Sequence, residues 1–368
     1  MSPRDRPLRR GWTTGACATA AAKAAYAALL TGEFPDPVEI TLPRGERATF
    51  ALAVNRRDAN AATAGVVKDA GDDPDVTHGA LVLATVRAGA PGSGVTFRAG
   101  EGVGTVTLAG LPIPPGEPAI NPVPRQMIRQ AIAEVAAAAN GTSDVEVEIA
   151  IPGGEALAAK TLNGRLGIIG GLSILGTTGI VVPYSCSAWI FSIHNGIDVA
   201  RAAGLAHVAG STGKTSEAAV QKFHDLPEIA LIDMGDFVGG MLKYLRRHPL
   251  PRVTIAGGVG KLTKLAQGLL DLHSRSGAVD LAALAAFAAA AGGDAVLQDR
   301  IVASNTAAEA FAHAAAAGVP LGDAVARAAQ ATAMRVVEQS GIAVEIALFD
   351  REGTLVGHAP FARARSAL

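Results

Sequence analysis

Residues 229–261, IALIDMGDFVGGMLKYLRRHPLPRVTIAGGVGK, contain the pattern that decides the fold class. Two apolar segments, 229–233 and 252–256, have the length and composition of short buried strands. Each is followed by a polar or glycine-rich turn and then by a helical segment, over residues 238–247 and 262–270. Strands and helices that alternate at this spacing are typical of a parallel, doubly wound sheet.

The same alternation of strands and helices extends through residues 153–368, whereas the earlier part of the chain is organised differently. The later part ends in three alanine-rich helices over 280–340 and a terminal hairpin over 344–358. Residues 1–152 show many short strands separated by turns, with only two helices, at 13–30 and 124–139. We therefore predict an α+β domain over 1–152, followed by a Rossmann-like α/β domain over 153–368 with a parallel sheet and C-terminal helices.

The composition indicates a folded, disulfide-free protein. The chain has 368 residues, of which 49% are hydrophobic and 4% aromatic, so aliphatic and alanine packing must form the core. Lys and Arg number 32 against 33 for Asp and Glu, and this balance disfavours nucleic-acid binding. Cys17 and Cys186 form no Cys-x-x-Cys motif, so we expect buried, reduced thiols, as in a cytoplasmic protein.

Two segments mimic membrane or export signals. Arg9 and Arg10 precede an alanine-rich run, but Lys23 interrupts it and alanine is too weakly apolar for a signal peptide. Residues 166–197 carry no formal charge, yet their many glycines and a proline favour two short strands around a turn over a membrane helix. We predict a soluble, cytoplasmic protein that does not bind membranes.

The densest polar cluster is residues 68–78, KDAGDDPDVTH, directly after the apolar segment 65–67. Four carboxylates and an imidazole at a strand end can bind a cation or the hydrogen-bond donors of a ligand. The spacing lacks the alternating acidic positions of an EF-hand, and a solvated Asp-Pro turn is the alternative. We predict a functional loop, and no metal site is expected.

Two further strand ends carry acids and glycines. Because ligands of open α/β sheets bind beyond the carboxyl ends of the strands, both loops are candidates for one cofactor crevice. The candidate cofactor-binding residues are Asp233, Gly235, Asp236, Gly257, Gly258, Gly260 and Lys261. Neither loop matches G-x-G-x-x-G, and tight strand–helix turns are the alternative. Residues 209–215, AGSTGKT, resemble a phosphate loop but have Val208 where a Walker A motif requires glycine.

Six ordered stretches, spread over nearly the whole chain, together resemble one protein family. They are residues 11–18 (GWTTGACA), 67–79 (VKDAGDDPDVTHG), 100–107 (GEGVGTVT), 117–124 (EPAINPVP), 171–180 (GLSILGTTGI) and 233–240 (DMGDFVGG). The sequence resembles the cobalt-precorrin-5B C(1)-methyltransferase family, CbiD, of anaerobic cobalamin biosynthesis. One departure is Ser185-Cys186-Ser187, where acidic residues would be expected.

The resemblance implies methyl transfer from S-adenosylmethionine to C-1 of cobalt-precorrin-5B, a cobalt-containing corrin precursor, to give cobalt-precorrin-6A. It also implies an α+β domain beside a Rossmann-like one, which we expect to bind the substrate and S-adenosylmethionine respectively. A homodimer is one expectation for the assembly. Two other functions stay open: a small-molecule kinase and a non-catalytic tetrapyrrole carrier.

No established catalytic residue is implied by the resemblance, so the site assignments rest on chemistry. A corrin precursor carries many carboxylates, which basic groups, polar loops and helix N-termini can bind. The candidate substrate-binding residues are Thr13, Thr14, Gly15, Lys68, Asp69, Asp75, Thr77, Arg165 and Lys214. For proton handling we select His78 with Asp72 and Asp73, because the ordinary pKa of histidine lies nearest working pH.

Overall fold

The computed structural model describes residues 7–363, which form two compact units. The N-terminal unit ends at Ser185 and the C-terminal unit begins at Cys186. This boundary lies later than the residue 152 expected from the sequence. The reason is long-range strand pairing. Residues 168–169 pair with 105–106, and residues 180–181 pair with 11–12. No local sequence pattern predicts these two pairs. The binding roles expected of the two domains stay predictions.

The N-terminal unit contains eleven strands and three helices among its described residues. In chain order these are β1 (Gly11–Trp12), α1 (Thr14–Thr31), β2 (Val38–Thr41), β3 (Arg47–Phe50), β4 (Val54–Arg57), β5 (Ala61–Val67), β6 (Leu81–Ala88), β7 (Val95–Ala99), β8 (Thr105–Val106), α2 (Pro122–Ala139), β9 (Val145–Ala150), α3 (Gly154–Ala158), β10 (Ile168–Ile169) and β11 (Ile180–Val181). The main sheet has the order β4-β5-β6-β9-β7 and is antiparallel except for the β7–β9 pair.

Helix α1 is the centre of this unit. Thr13 caps its start by accepting a hydrogen bond from the Ala16 amide, and Gly32 ends it in the left-handed conformation, at φ 90°. Most of its residues are buried, and most of those are alanines. Small side chains on all sides allow the helix to pack closely against β5, β6 and α2, so alanine replaces aromatic bulk in this core.

The C-terminal unit alternates strands and helices, as the sequence predicts. Its elements are α4 (Cys186–Ala202), β12 (His207–Ser211), α5 (Lys214–His224), β13 (Leu231–Asp233), α6 (Val238–Arg247), β14 (Arg252–Gly258), α7 (Val259–Ala266), α8 (Leu281–Ala290), α9 (Ala295–Val302), α10 (Ala307–Ala316), α11 (Leu321–Val336), β15 (Ala343–Phe349) and β16 (Leu355–Arg363). The sheet order is β13-β12-β14-β15-β16, parallel except for β16. The mixed α/β class with a parallel sheet is therefore confirmed.

The prediction of three helices over residues 280–340 is wrong, because the structure has four there. Asp280, Asp294 and Thr306 each cap a new helix with the side-chain oxygen, which divides the alanine-rich segment into short pieces. Alanine runs give little contrast between buried and exposed faces, so the periodicity does not mark these boundaries.

The alternation of side chains along β12, β14 and β15 gives the parallel sheet two different faces. One face packs against α4, α6, α7 and α11 through residues such as Val208, Ile255 and Ile346. The other face is covered by α5, whose Val220 lies against Ala209, Ala256 and Ala347. The polar residues His207, Thr254 and Glu345 share the α5 face with this small apolar patch, and Thr254 lies directly beside Ala209.

None of the helices within residues 7–363 is long and apolar enough to cross a bilayer. Cys17 is buried as predicted, and this burial raises the pKa of its thiol to about 12. The prediction of burial is wrong for Cys186, which is exposed because it begins α4 at the surface.

A close backbone contact between α11 and β16 gives a test of the C-terminal core. A Cβ on Gly322 would overlap the carbonyl oxygen of Val356, so Gly322→Ala should lower the free energy of unfolding by about 3 kcal/mol. The matched control is Gly260→Ala, also at the second position of a helix, where a Cβ meets nothing within 4 Å. Chemical denaturation of both variants measures the difference, and equal losses would contradict the packing argument.

Candidate functional site

Three strands of the C-terminal unit end at one edge of the sheet, because β12, β13 and β14 are parallel. Backbone hydrogen bonds join the loops that follow them. The amides of Met234 and Gly235 both donate to the carbonyl of Ser211 at 3.1 Å, and the Thr212 amide donates to the carbonyl of Ala256 at 3.0 Å. The edge is therefore a connected, ordered surface.

Lys261 ties these loops together. Its Nζ donates to the carbonyl oxygen of Thr212 at 2.8 Å and lies 3.0 Å from Oδ1 of Asp236. One side chain from α7 thus contacts the loops after β12 and β13. The structure brings together Asp236 and Lys261, two of the residues predicted to bind a cofactor.

Three helices begin at this edge without a side-chain cap. The N-cap residues of α5, α6 and α7 are Gly213, Phe237 and Gly258, and none of them makes a side-chain hydrogen bond to its helix. The first amides of a helix and its dipole favour negative charge. Lys214, which was predicted to bind substrate, is the exposed first residue of α5 and adds a positive charge at the same edge.

The predicted glycines divide into two groups. A Cβ on Gly258 or Gly260 would meet nothing within 4 Å, so both leave open space beside the backbone. Gly257 is buried, and a Cβ there would lie 2.8 Å from the Thr212 side chain. Gly235 has a left-handed φ of 54°, which its tight turn requires. Only Gly258 and Gly260 therefore present backbone to a ligand.

Trp189 and Ser211 also belong to this edge, although no motif in the sequence selects them. The indole Nε1 of Trp189 donates to the carbonyl oxygen of Asp233 at 3.0 Å, and the residue is 45% exposed. Ser211 Oγ is buried and has no hydrogen-bond partner among the described residues. One signal could have pointed to Trp189: it is one of 2 tryptophans in the chain.

Residues 68–78 of the N-terminal unit, which we call the Asp-rich loop, hold other chain segments in place. Arg9 makes a two-pronged ion pair with Asp69, and its amide donates to Asp72 Oδ2 at 2.6 Å. Asp73 Oδ1 accepts from the Tyr184 amide at 2.8 Å. The hydrogen bond from Arg9 and that from the Gly71 amide lower the pKa of Asp69 to about 2. Asp69, Asp72 and Asp73 thus each anchor backbone or side chain of the same unit.

Lys68 is buried and forms an internal ion pair. Its Nζ donates to Asp75 Oδ2 at 2.7 Å, and its side chain is only 1% exposed. Asp75 Oδ1 accepts from both the amide and the hydroxyl of Thr77, at 2.7 and 2.6 Å. Burial raises the pKa of Asp75, but the Lys68 charge and these hydrogen bonds outweigh it and bring the pKa below its ordinary value. The lysine is therefore a partner of the loop and offers no charge to solvent.

Among the predicted catalytic residues of this loop, His78 and Asp72 are exposed and Asp73 is half-buried. His78 Nδ1 accepts from the Ala70 amide at 3.1 Å and lies 3.8 Å from Asp69 Oδ1, while 54% of the side chain is exposed. Because Nδ1 is an acceptor, the neutral ring carries its proton on Nε2. In this arrangement Nε2–H is a hydrogen-bond donor toward solvent.

The remaining predicted substrate-binding residues lie in different environments. Thr13 caps α1, Thr14 Oγ1 accepts from the Leu175 amide at 3.0 Å, and the Gly15 amide donates to the Leu175 carbonyl at 3.0 Å. These contacts occupy the N-terminus of α1 with protein groups. Arg165 is partly buried in the segment after α3.

Two family models match the chain. The model described as CbiD matches residues 1–183, and the model described as CbiD, C-terminal domain, matches residues 271–360. These ranges fall in the N-terminal and C-terminal units respectively.

Curated relatives match over almost their entire length. A protein of Bradyrhizobium sp. (strain BTAi1), named cobalt-precorrin-5B C(1)-methyltransferase, is 63% identical over 99% of this chain and 98% of its own. A protein of Halorhodospira halophila with the same name is 65% identical over 97% and 95%. A 1.9 Å crystal structure of the cobalamin biosynthesis protein CbiD from Archaeoglobus fulgidus is 29% identical and covers 71% of this chain and 80% of its own. Its TM-score of 0.40 is too low to assign a shared domain arrangement.

The buried pair of Lys68 and Asp75 gives a test of the loop's structural role. Asp75→Asn leaves an ammonium group buried without its counter-charge, which should lower the free energy of unfolding by about 3–5 kcal/mol. Replacing both partners, in Lys68→Met with Asp75→Asn, removes the uncompensated charge and should recover much of that loss. Urea denaturation of the two variants measures both values. A double variant as unstable as the single one would show that the pair is not the cause.

Proposed function

The chain belongs to the CbiD family, and from this premise we propose that it is a methyltransferase that methylates C-1 of cobalt-precorrin-5B in cobalamin biosynthesis. The observation that carries the proposal is the high identity to proteins of that name through both units of the structure. The product is cobalt-precorrin-6A. A kinase is the weaker alternative, because the loop before α5 lacks the first glycine of a Walker A motif.

The methyl donor in this proposal is S-adenosylmethionine, which supplies a methyl group already activated on a sulfonium. We assign its site to the edge where β12, β13 and β14 end. The residues there suit the donor's groups: Asp236 can accept from ribose hydroxyls, and the free N-termini of α5 and α7 suit a carboxylate. The open backbone at Gly258 and Gly260 allows close approach.

The topology of the C-terminal unit supports this assignment. The strands run in the spatial order β13-β12-β14-β15-β16, so the chain reverses direction across the sheet between β12 and β14. Ligands of open α/β sheets bind at such a switch point, beyond the carboxyl ends of the strands. We therefore interpret this unit as Rossmann-like, and Trp189 offers an aromatic face at the same edge.

The acceptor is a large ring with many carboxylates, and we assign its binding to exposed donors and cations. Each unit offers candidates by itself: in the N-terminal unit His78 is exposed and Arg165 is partly so, and in the C-terminal unit Lys214 is exposed. Thr13, Thr14, Gly15, Lys68, Asp69, Asp75 and Thr77 act indirectly in this proposal, by holding α1 and the Asp-rich loop in shape. Asp72 and Asp73 position the same loop through backbone amides.

The chemistry requires alignment more than a strong acid or base. Attack by a ring carbon on a sulfonium methyl disperses an existing positive charge, so positioning and exclusion of water lower the barrier. In this proposal, the ordered loops that Lys261 connects hold S-adenosylmethionine in position. Methylation of the ring changes its conjugation, and His78 is our candidate to take the proton that leaves, at Nδ1, which must first give up the hydrogen bond from the Ala70 amide.

The donor site is tested by calorimetric titration with S-adenosylmethionine, S-adenosylhomocysteine and ATP. Binding of the two sulfur nucleosides alone supports the transferase, ATP alone the kinase, and none of the three a tetrapyrrole carrier. Asp236→Ala and Gly258→Val should each weaken S-adenosylhomocysteine binding by about tenfold or more, equal to about 1.4 kcal/mol. A Cβ at Gly258 meets nothing within 4 Å, so in a folded Gly258→Val variant the loss of binding reports obstruction of the ligand.

Matched controls for these variants are Asp299→Ala, on the exposed side of α9, and Gly164→Val, where a Cβ also meets nothing within 4 Å. Both should bind S-adenosylhomocysteine like the wild type. If Asp236→Ala and Gly258→Val bind normally while folded, the donor lies elsewhere.

His78 is tested by comparing His78→Ala with His78→Gln in single-turnover methyl transfer. Glutamine retains an oxygen that can accept from the Ala70 amide but cannot exchange a proton. General acid–base catalysis typically contributes about 10²–10⁴-fold, so both variants should lose roughly that much turnover and still bind the donor. Near-normal transfer by the glutamine variant would make His78 a loop residue only.

A further inference from the structure

A cluster of histidines and one glutamate lies on the α5 face of the C-terminal sheet, at the end opposite the proposed donor edge. His207 begins β12, Thr254 lies on β14 and Glu345 on β15, and parallel pairing places Thr254 beside Glu345. His224 is the last residue of α5. His358 on β16 stands opposite Ala347, on the same face. Five elements thus bring polar groups to one place.

The carboxylate of Glu345 is the centre of this cluster and is only 3% exposed. Its Oε2 accepts from His224 Nε2 at 2.5 Å and from Thr254 Oγ1 at 2.6 Å, and its Oε1 accepts from His358 Nε2 at 2.9 Å. The Thr254 hydroxyl donates to Glu345, so it accepts from His207 Nε2, which lies 2.7 Å away. Glu345 therefore has hydrogen bonds to both oxygens and ionises inside the unit.

Two of the histidines and the glutamate form a compact set of metal ligands. One ligand atom each from His207, His224 and Glu345 lies within 4.8 Å of the others. Zinc bound to nitrogen and oxygen at about 2.0–2.1 Å needs ligand atoms roughly 3.3 Å apart, so a bound ion would draw these three side chains closer together. Two imidazoles and one carboxylate are a donor set that Zn²⁺ and related first-row ions prefer.

We propose that His207, His224 and Glu345 bind one divalent first-row transition-metal ion, with Zn²⁺ or Co²⁺ as the class of ion. When the ion binds, Nε2 of His207 gives up its hydrogen bond to Thr254, and Nε2 of His224 gives up its hydrogen bond to Glu345. Both Nε2 atoms then coordinate the ion, and each ring carries its proton on Nδ1. Thr254 and His358 keep their hydrogen bonds to Glu345 and orient it. The side chain of His224 is 19% exposed, which leaves an approach for the ion and a position for water.

The charges around the cluster suit a cation. Burial, and to a smaller degree His224, lower the pKa of His207 to about 4, so this ring is neutral and can coordinate at neutral pH. Burial raises the pKa of Glu345, but hydrogen bonds from Thr254, His358 and His224 outweigh it and keep the carboxylate ionised. The nearby guanidinium of Arg252 is exposed, so solvent and salt screen its repulsion.

The site is separate from the proposed donor edge. His207 and Ser211 are the two ends of β12, about 13 Å apart at the usual rise of a strand. An ion here would join α5, β12 and β15, and its expected effect is stabilisation of the C-terminal unit. The test contains neither methyl donor nor corrin, so its outcome is independent of the methyltransferase assignment.

The experiment is titration of the full chain, freed of any affinity tag and of metal by chelation, with Co²⁺ and then Zn²⁺. We expect one equivalent of Co²⁺ with the visible absorption of a nitrogen- and oxygen-ligated ion, displacement by Zn²⁺, and a higher melting temperature with either ion. Absence of stoichiometric uptake by the wild type overturns the proposal, whatever the variants do.

Substitutions of the clustered histidines test which side chains bind the metal ion. His207→Gln and His224→Gln keep a hydrogen-bond donor and should each lose about 100-fold or more in metal affinity. His358→Ala, which removes an orienting hydrogen bond, should lose about 10–100-fold. The control is His313→Ala, because His313 forms a simple surface pair with Glu309 at 4.0 Å on α10. Unchanged affinity in both glutamine variants, or an equal loss in the control, would place the ion elsewhere and overturn the proposal.

Discussion

The fold depends on backbones that approach one another more closely than most side chains permit. In the N-terminal unit, alanines line α1 on all sides, and a Cβ on Gly11 would overlap the backbone of Ala70. In the C-terminal unit, Gly322 rests on the backbone of Val356 in the same way. A chain with 4% aromatic residues cannot fill wide gaps between its elements. Some elements are therefore separated by narrow gaps, and alanine and glycine at fixed positions allow the closest contacts between them.

Parallel pairing then decides where the polar groups of the C-terminal unit lie. Side chains alternate along each strand, so His207, Thr254 and Glu345 share one face with the alanines that pack on α5. The polar side chains lie toward the amino ends of the strands, beside these alanines. The carboxyl ends carry the loops that Lys261 joins. One sheet thus supports two chemically different regions, each with its own ligand class in our proposals.

The Asp-rich loop serves the fold, and in our proposal it also carries a site residue. Most of its charged groups have partners within the N-terminal unit: Lys68 with Asp75, and Asp69 with Arg9. Such pairs fix the loop, and they leave the ring of His78 exposed. A rigid loop that presents one donor suits a reaction that requires alignment, because the geometry is set before the substrate arrives.

Local sequence patterns were sufficient to predict the alternation of strands and helices after residue 186, the family, and the two segments after strands that carry Asp236 and Lys261. These features depend on local periodicity and on contiguous motifs, which a linear pattern records. Tertiary structure alone decided that residues 168–181 pair back into the N-terminal unit, that Lys68 is buried, and that Gly257 packs while Gly258 stays open. It alone brought His207, His224 and Glu345 together, because the fold places the end of α5 beside a residue of β15 that lies 121 positions later in the chain. No regular residue spacing in the sequence marks such contacts, because the tertiary fold, and not separation along the chain, sets the distance between the residues.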